Sequence, residues 1–460
     1  MNHYYQLQKF LIGLFLVLLY CAPARANHLA AADMHVDYVP TGATPYSYRV
    51  TLNVYKACEG GIPLGLTARL EWESISGCLP GGFRDMGPVT IDTLDKLCDT
   101  FKAISSCRPD TGVTDYPAFI RHTWVLVVDL PGPCPDWVFS WRQSARNNII
   151  RNIGPGNLYV DAMINNSKKA RVNTPRYSID PIPYVCLNSR VAFPNAPIDP
   201  DYDSMVSANM NPRFDGPTPY NYANYITDIS DPTLTYTLTS PIASDPSYPY
   251  TLDPNTATAT FQPTVAGRFV LAFQTYDYDR VTRELMGFTT RDVQVAVLGC
   301  VAPPPDVDTP KNPVGGYIDT VTRTVYACPG TEISFDAGAK SRAVLIAKVF
   351  ARWDLGGLTG ATYTTEGDGT SHVVGRFYWT PGKGDVGTHI VRLRFADSTC
   401  TNGLPLVQET YHVIKIVVLP AVNGGKDGKY CIPGGAPWQM QTVIEPGMRY
   451  KWSSIAGSPT

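Results

Sequence analysis

Three aspartates stand at alternate positions of the segment DPDYDS, namely Asp199, Asp201 and Asp203. Carboxylates spaced in this way along a turn can converge on one hard cation, and Ca²⁺ takes oxygen ligands. The segment departs from an EF-hand loop, because Ser204 replaces the loop's glycine and no glutamate ends the loop. Calcium at these three aspartates is one hypothesis, and a solvated Asp-rich turn that Pro200 bends is the interpretation that we favour, because turns are rich in aspartate.

The sequence contains no motif of a catalytic site. It has no G-x-S-x-G, H-E-x-x-H, Walker loop or G-x-G-x-x-G segment, and no such motif surrounds its histidines. Tandem small sandwiches, the fold predicted below, rarely provide the deep cleft in which active sites usually form. We therefore predict that the chain is not an enzyme and has no catalytic residues. A hydrolase whose paired carboxylates lie far apart in the sequence is the remaining enzyme hypothesis.

The cysteines favour disulfides over metal binding, because no C-x-x-C segment is present and no histidine has metal-ligand spacing to a cysteine. The cysteines beyond residue 26 are Cys58, Cys78, Cys98, Cys107, Cys134, Cys186, Cys300, Cys328, Cys400 and Cys431. We predict the pair Cys328–Cys400, because Cys328 ends an apolar run and Cys400 follows the predicted strand at 389–395. We also predict Cys186–Cys300, because these two cysteines bracket the second predicted domain. The first predicted domain has an odd number of cysteines, so at least one of them pairs elsewhere or stays free.

The N-terminus has the three parts of a secretory signal. A polar start ends in Lys9, residues 10–20 (FLIGLFLVLLY) are apolar, and Ala24-Arg25-Ala26 matches a signal-peptidase site. The apolar run is shorter than the ~20 residues that a transmembrane helix needs, and no second run follows. We predict cleavage after Ala26 by the export machinery, no transmembrane segment, and an extracellular or outer-surface location. Disulfides form and persist outside the cytoplasm.

Composition excludes some functions and favours strands. The formal net charge is −2 and 17% of residues are charged, so neither nucleic acid nor an anionic membrane is an expected partner. Period-2 alternation of apolar residues, typical of half-buried antiparallel strands, recurs in 48–55, 137–141, 268–274 and 389–395. The predicted fold class is all-β, with tandem immunoglobulin-like or PKD-like β-sandwich domains.

Proline-rich segments at 174–183, 302–313 and 419–429 suggest the domain boundaries. The predicted organisation is a signal peptide (1–26), an N-terminal β-sandwich (27–180), a cadherin/Ig-like domain (181–300), a PKD/Ig-like domain (301–420) and the start of a further domain (421–460).

A weak repeat supports the last two of these domains. Trp353 follows Cys328 at nearly the distance at which Trp452 follows Cys431, a pattern of two core strands in such sandwiches. A sandwich needs about 100 residues. We therefore expect residues 421–460 to belong to a longer protein, in which Cys431 pairs with a later cysteine.

Tyrosine-rich loops at 217–225 and 245–250 offer a second type of binding surface. Exposed aromatic rings can stack on sugars or make adhesive protein contacts. The alternative is that these tyrosines pack over the prolines of their own loops.

Several blocks of the sequence resemble, in order, blocks of a known family. Residues 48–58, 139–153, 184–203 and 252–295 resemble large Bacteroidota surface proteins of the PKD/immunoglobulin-like, gliding-motility-associated type, which the type IX system exports. Residues 375–400 resemble a PKD or cadherin-like repeat more generally. The resemblance implies a cell-surface or secreted protein with an adhesive or structural role, and it implies no catalytic residues.

One departure from the family concerns its cysteines. Family members often have a Cys-Cys pair where this chain has Ser144 and Ala145. The usual partner of a cysteine such as Cys58 is therefore missing, and Cys78 or Cys134 can substitute for it.

The leading functional hypothesis is an exported, multi-domain structural or adhesive protein whose partners are surface proteins or glycans. The alternative is a glycan-binding module of a polysaccharide-handling protein, which needs two or three coplanar exposed aromatic side chains on one sheet face. The hydrolase hypothesis needs two carboxylates about 5–10 Å apart in a cleft.

Overall fold

The computed structural model describes residues 29–58, 64–94, 107, 119–144, 146, 150–181, 184–201, 203–217, 219–228, 230–280, 282–300, 304–319, 324–342, 348–398 and 407–419. Regular structure in these ranges consists of β-strands and a 3₁₀ turn at Lys383–Asp385, which confirms the all-β prediction. Within them, no helix has the length and apolar character needed to cross a membrane. The predicted signal peptide and the segment 421–460 lie outside the described residues.

The described residues form two compact units. Unit 1 contains those up to Cys300 together with Val407, and unit 2 contains 304–398 and 408–419. The strands of unit 1 are β1 (Leu29–Tyr38), β2 (Ser47–Ala57), β3 (Ala68–Ser74), β4 (Gly82–Met86), β5 (Thr90–Leu94), β6 (Phe119–Asp129), β7 (Trp137–Gln143), β8 (Leu158–Ile164), β9 (Arg176–Tyr177), β10 (Tyr184–Cys186), β11 (Val191–Pro194), β12 (Pro197–Ile198), β13 (Ser204–Asn209), β14 (Arg213–Asp215), β15 (Asn221–Tyr222), β16 (Thr251–Asp253), β17 (Thr258–Phe261), β18 (Gly267–Tyr278) and β19 (Leu285–Leu298). The strands of unit 2 are β20 (Asp306–Val307), β21 (Lys311–Val314), β22 (Tyr317–Asp319), β23 (Thr324–Ala327), β24 (Ile333–Lys340), β25 (Val349–Asp354), β26 (Thr362–Glu366), β27 (His372–Trp379), β28 (Gly387–Asp397) and β29 (Gln408–Val418).

Unit 1 is built on one large sheet whose main order is β4-β3-β7-β8-β19-β1-β2-β6-β5. The hairpin partner β18 pairs with β19, and β13 pairs with β18. Because β1 also pairs with β19, with Ala31 opposite Val293, the start and the end of unit 1 share one hydrogen-bonded ladder. Residues 29–300 are therefore one compact unit rather than two, and the boundary predicted between residues 180 and 181 lies inside it.

Among the described residues of unit 1, two hydrophobic cores are much larger than the rest. One contains Trp124, Trp137 and Phe139 together with Met34 of β1. The other contains Phe193, Phe269, Leu271 and Phe273 together with Ala31 of β1. Successive side chains of a strand point to opposite faces. Strand β1 therefore contributes to both cores.

Two of the predicted strands are buried on both faces rather than on one. In β18, Leu271 and Phe273 pack in the second core, while Val270 packs against Ile150 and Ile153 on the opposite face. In β7, Val138 packs against Met163 and Phe288. The second face of β18 is covered by the segment that contains Ile150 and Ile153. Met163 and Phe288 lie beside Val138 on neighbouring strands of the same sheet. Alternation within one strand reveals neither contact.

Unit 2 is a sandwich of two five-stranded sheets, one with the order β20-β24-β27-β26 plus β21 and the other with the order β22-β23-β29-β28-β25. Its core contains Phe335 and Phe377, whose rings stack at 4.9 Å, and the buried Trp379. The predicted core tryptophan Trp353 instead lies on the edge strand β25 and is 43% exposed. An edge strand has a neighbour on one side only, so its side chains are covered less completely.

Candidate metal centre

The Asp-rich segment lies between two short strands of unit 1. β12 ends at Ile198, and the turn that follows leads into β13 at Ser204. β13 pairs antiparallel with β18, which places Met205 opposite Asp277 and Ser204 opposite Tyr278. The ladder therefore brings Asp277, near the end of β18, beside the turn that carries the predicted ligands.

The structure brings together Asp199, Asp203 and Asp277. Each offers a carboxylate oxygen, and the three oxygens all lie within 4.8 Å of one another. Asp199 is 5% exposed and Asp277 is 0% exposed. An oxygen-only donor set of this kind suits a hard cation such as Ca²⁺. We call these three residues the carboxylate cluster.

Asp201 does not join the carboxylate cluster, although the sequence placed it with Asp199 and Asp203 in the calcium hypothesis. Its Oδ2 accepts a hydrogen bond from the backbone N–H of Asn173 at 2.8 Å, and its Oδ1 accepts one from Asn173 Nδ2 at 2.7 Å. Asn173 Oδ1 in turn accepts from the backbone N–H of Tyr38 at 2.7 Å. Asp201 therefore ties the turn to the segment beside β1.

Asp199 shapes the turn as well as contributing to the cluster. Its Oδ1 accepts the backbone N–H of Asp201 at 3.0 Å, and its Oδ2 accepts the backbone N–H of Asp203. Aspartate side chains commonly stabilise turns through such bonds to the backbone just ahead. Both oxygens keep a further lone pair, since each carboxylate oxygen has about two acceptor sites.

Asp277 is the member of the cluster whose charge is least compensated. Neither of its carboxylate oxygens has a hydrogen-bond partner. Burial, followed by the charges of Asp199, Asp203 and Asp201, raises the pKa of Asp277 to about 9. A buried carboxylate that lacks a hydrogen-bond donor disfavours its charged form.

The other two carboxyl groups of the cluster are also perturbed. Burial raises the pKa of Asp199 to about 6, against the opposing effect of its two backbone hydrogen bonds. Burial also raises the pKa of Asp203. The Nζ of Lys169 lies 3.7 Å from Asp203 Oδ2 and 3.5 Å from Asp279 Oδ2, and the lysine side chain is 40% exposed. Lys169 is shared between two carboxylates and is partly solvated, so it compensates the cluster only in part.

Sequence reasoning missed Asp277 because it lies far from the DPDYDS segment along the chain. The available signal was an acidic residue inside the long strand-like segment RFVLAFQTYDY, which is rich in apolar and aromatic residues. Acidic residues are seldom fully buried unless they are paired. An aspartate in such a strand therefore indicates a specific role.

The tyrosine-rich loops are largely occupied by contacts within unit 1. The guanidinium carbon of Arg190 lies 3.5 Å from the ring centre of Tyr248, and that of Arg213 lies 4.0 Å from the ring centre of Tyr220. Tyr250 is buried and donates a hydrogen bond to Asn209 Oδ1 at 2.7 Å.

Among the described residues, the exposed aromatic side chains of unit 1 lie on separate elements. Phe83 lies on β4, Tyr222 on β15, and Tyr248 in the loop before β16. In unit 2, the exposed Tyr317 and Trp353 lie on strands at opposite edges of one sheet. The described residues therefore do not provide the coplanar set of rings that the glycan hypothesis requires.

A shallow pocket in unit 1 is lined in part by Tyr55, Phe119, Asp180 and Gln294. The carboxylate of Asp180 accepts hydrogen bonds from Arg121 at 2.8 Å and from Tyr55 at 3.1 Å. Glycoside hydrolysis needs two carboxyl groups flanking the substrate. This pocket's lining supplies one, and that one is already bound to an arginine.

The structure joins Cys186 to Cys300, the pair expected from their positions, with a Cα–Cα distance of 5.4 Å. The alternatives raised for Cys58 are wrong, because Cys58 pairs with Cys107 and Cys78 pairs with Cys134.

Two of the cysteine predictions reach residues outside the described ranges. Cys328 is disulfide-bonded. Its predicted partner Cys400 lies outside the described residues, as do Cys98 and Cys431. The pairing of Cys328 with Cys400 therefore stays a prediction.

No protein-family model and no curated protein matches the chain. Among solved structures, the Dpr2 Ig1-Ig2 complex with DIP-Theta Ig1-Ig3 matches with a TM-score of 0.17 and 10% identity, over 81% of this chain and 94% of that one. The S-layer protein rSbsC(31-844) matches with a TM-score of 0.16 and 10% identity, over 86% and 55%. Domains 1–6 of the surface layer protein SbsC match with a TM-score of 0.15 and 9% identity, over 88% and 54%. The chain thus spans about half the length of the S-layer chains. At these TM-scores the matches carry no argument, and the fold assignment rests on the sheets themselves.

Proposed function

We propose that the chain is an exported surface protein with a structural or adhesive role, of the gliding-motility-associated type that its sequence blocks resemble. The observation that carries the proposal is the set of disulfides in unit 1. Cys58–Cys107, Cys78–Cys134 and Cys186–Cys300 together staple its β-structure. Proteins of the reducing cytoplasm rarely keep such bonds. The N-terminal segment ending at Ala26 supplies the corresponding export signal.

A structural role is supported by the way in which aromatic and charged side chains are packed within unit 1 and within unit 2. The large rings of both units are mostly packed in cores, and the tyrosines of the loops pack beneath arginines. Several buried arginines pair with buried aspartates, as Arg146 does with Asp292 at 2.7 Å. These arrangements stabilise rigid modules, which suit a spacer or an adhesive scaffold.

The test is to express the full chain, with residues 1–26 and an epitope tag, in a gliding Bacteroidota host and in a strain of it that lacks type IX secretion. We expect the tag to be accessible to antibody and protease on intact cells of the first strain. A matched variant that lacks residues 10–20 should stay inside the cell with reduced cysteines. A chain that stays cytoplasmic and reduced with its signal intact would show the proposal wrong. Equal surface exposure in both strains would remove the type IX part of it.

A further inference from the structure

We propose that Asp199, Asp203 and Asp277 bind one Ca²⁺ ion, which joins the turn after β12 to the end of β18. The oxygen atoms of the three carboxylates converge from two elements that are far apart in sequence, within 4.8 Å of one another. Ca²⁺ holds its oxygen ligands at about 2.3–2.6 Å, so two ligands on opposite sides of the ion lie roughly 5 Å apart. The spacing of the three oxygens therefore matches an ion held between them.

The state of Asp277 is the second and independent observation. Its side chain is 0% exposed, and both carboxylate oxygens lack a hydrogen-bond partner. Buried polar atoms are nearly always hydrogen-bonded, and a buried carboxylate without a partner is costly. A cation in the cluster supplies the missing partner, because a buried charge is stabilised by pairing or by metal coordination.

The polar groups around the carboxylate cluster do not take the place of a cation. Asp201 is bound to Asn173, and Lys169 is shared between Asp203 and Asp279 at 3.7 and 3.5 Å. No hydrogen-bond donor reaches Asp203 Oδ2. Water and backbone carbonyl groups complete most protein Ca²⁺ sites, which have six to eight ligands in all.

The site has a mechanical consequence for the edge of the sheet. β13 pairs with β18, and Ser204, its first residue, follows the ligand Asp203 directly. An ion that links Asp203 to Asp277 fixes the start of β13 against β18. Exposed edge strands are prone to pairing with other chains, so an ion that holds the edge in place protects the sheet.

The experiment is a titration of the full purified chain, freed of metals by a chelator, with CaCl₂ in a calorimeter. We expect one Ca²⁺ per chain with a dissociation constant below about 1 mM, the weak end of the range for extracellular Ca²⁺ modules. Asp277→Asn and Asp203→Asn should each weaken binding by at least about tenfold, which is about 1.4 kcal/mol. Asp201→Asn is the matched control and should weaken binding by much less than tenfold, because it removes a nearby charge but no ligand.

A second readout separates the site from general effects on folding. Hydrogen exchange of the amides of Ser204–Asn209 should slow when Ca²⁺ is added to the unaltered chain and should not change in Asp277→Asn. The proposal is overturned if the unaltered chain binds no Ca²⁺ up to about 1 mM. It is equally overturned if Asp277→Asn binds as tightly as the unaltered chain, or if Asp201→Asn loses binding while Asp277→Asn keeps it. None of these outcomes depends on where the protein is exported.

Discussion

The carboxylate oxygens of Asp199 and Asp277 lie within 4.8 Å of each other, and Asp277 has no hydrogen-bond donor of its own. The β13–β18 ladder sets this distance, because Met205 stands opposite Asp277 just beyond the turn that Asp199 organises. Folding therefore places two acidic groups side by side in a buried position. Without a cation, this arrangement opposes the stability of unit 1.

The first prediction concerns the protein in the presence of a chelator. Asp277→Asn should then stabilise unit 1 by about 1–3 kcal/mol, because the amide carries no charge and its NH₂ group can donate to Asp199 or Asp203. Urea denaturation followed by tryptophan fluorescence measures the change. Asp201→Asn is the control and should be neutral or destabilising, because Asp201 already has its donors from Asn173. A loss of stability in chelated Asp277→Asn would contradict the argument.

The second prediction concerns the buried ion pair of Arg213 and Asp161. Arg213 Nη1 lies 2.6 Å from Asp161 Oδ1, and the two side chains are 6% and 0% exposed. Arg213→Met should destabilise unit 1 by about 3–5 kcal/mol, because Asp161 is left as a buried charge. Adding Asp161→Leu should recover part of that loss, because the uncompensated carboxylate is then removed.

The exposed pair of Arg142 and Asp215 is the matched control for this ion pair. Its side chains are 50% and 40% exposed. Arg142→Met should change the free energy of unfolding by no more than about 1 kcal/mol. Denaturation curves of Arg213→Met, Asp161→Leu and the double variant complete a double-mutant cycle for the buried pair. Equal effects of Arg142→Met and Arg213→Met would show that burial does not set the strength of these pairs.

The third prediction concerns two glycines of unit 2. A Cβ atom at Gly375 of β27 would overlap the ring of Tyr363, whose hydroxyl donates a hydrogen bond to Ala337 O at 2.6 Å. Gly375→Ala should therefore lower stability by about 1–3 kcal/mol, the usual cost of overpacking a core. Gly384→Ala has open space around the new methyl group and should be nearly neutral. Thermal unfolding of the two variants makes the comparison, and equal melting temperatures would contradict the packing argument.

These sites show how far the sequence alone reaches. Alternation of apolar residues placed the strands around Val50, Leu271 and Leu393 correctly, because the period of a strand is a local property. It did not reveal that β1 pairs with β19, which joins residues 29–300 into one unit. Strand partners depend on contacts between distant segments, and a single sequence carries little record of them.

The candidate metal site also has a part that the sequence reveals and a part that only the fold reveals. The turn containing Asp199 and Asp203 was visible from residue types and spacing. Asp277 comes from another strand, and the exclusion of Asp201 depends on a bond to Asn173 that only the fold creates. The local half of the site was therefore predictable from the sequence, and the half that depends on strand pairing was not.

The fourth prediction concerns pH and His122 of β6, which is 7% exposed and stacks on Trp124 at 5.6 Å. Burial, followed by the charge of Lys56, lowers the pKa of His122 in the folded chain. As the pH falls below about 6.5, the unfolded chain takes up a proton that folded His122 does not. Stability is therefore fully present above that pH and falls as the solution is acidified. In His122→Gln, denaturation midpoints between about pH 5 and 7 should depend less on pH. An unchanged pH dependence would exclude His122 as a contributor.

The last prediction concerns the disulfide between Cys186 and Cys300, which closes a loop with a sequence separation of 114. It anchors β10, a three-residue strand that pairs in parallel with the end of β19. So short a strand contributes few ladder hydrogen bonds. The disulfide keeps β10 close to the end of β19 in the unfolded chain as well as in the folded one. Replacing both cysteines with alanine should lower the stability of unit 1 by about 2–5 kcal/mol.

A second disulfide provides a comparison for the stability that the Cys186–Cys300 bond contributes. Cys78 and Cys134 have a sequence separation of 56. A disulfide that closes a shorter loop removes less entropy from the unfolded chain and therefore stabilises the folded state less. Replacing that pair with alanine should cost about 0.6 kcal/mol less than replacing Cys186 and Cys300. Urea denaturation of both double variants under oxidising conditions gives the two values. If the Cys186→Ala, Cys300→Ala variant unfolded at the same urea concentration as the unaltered chain, the pairing of β10 with β19 would have to be stable without the covalent link.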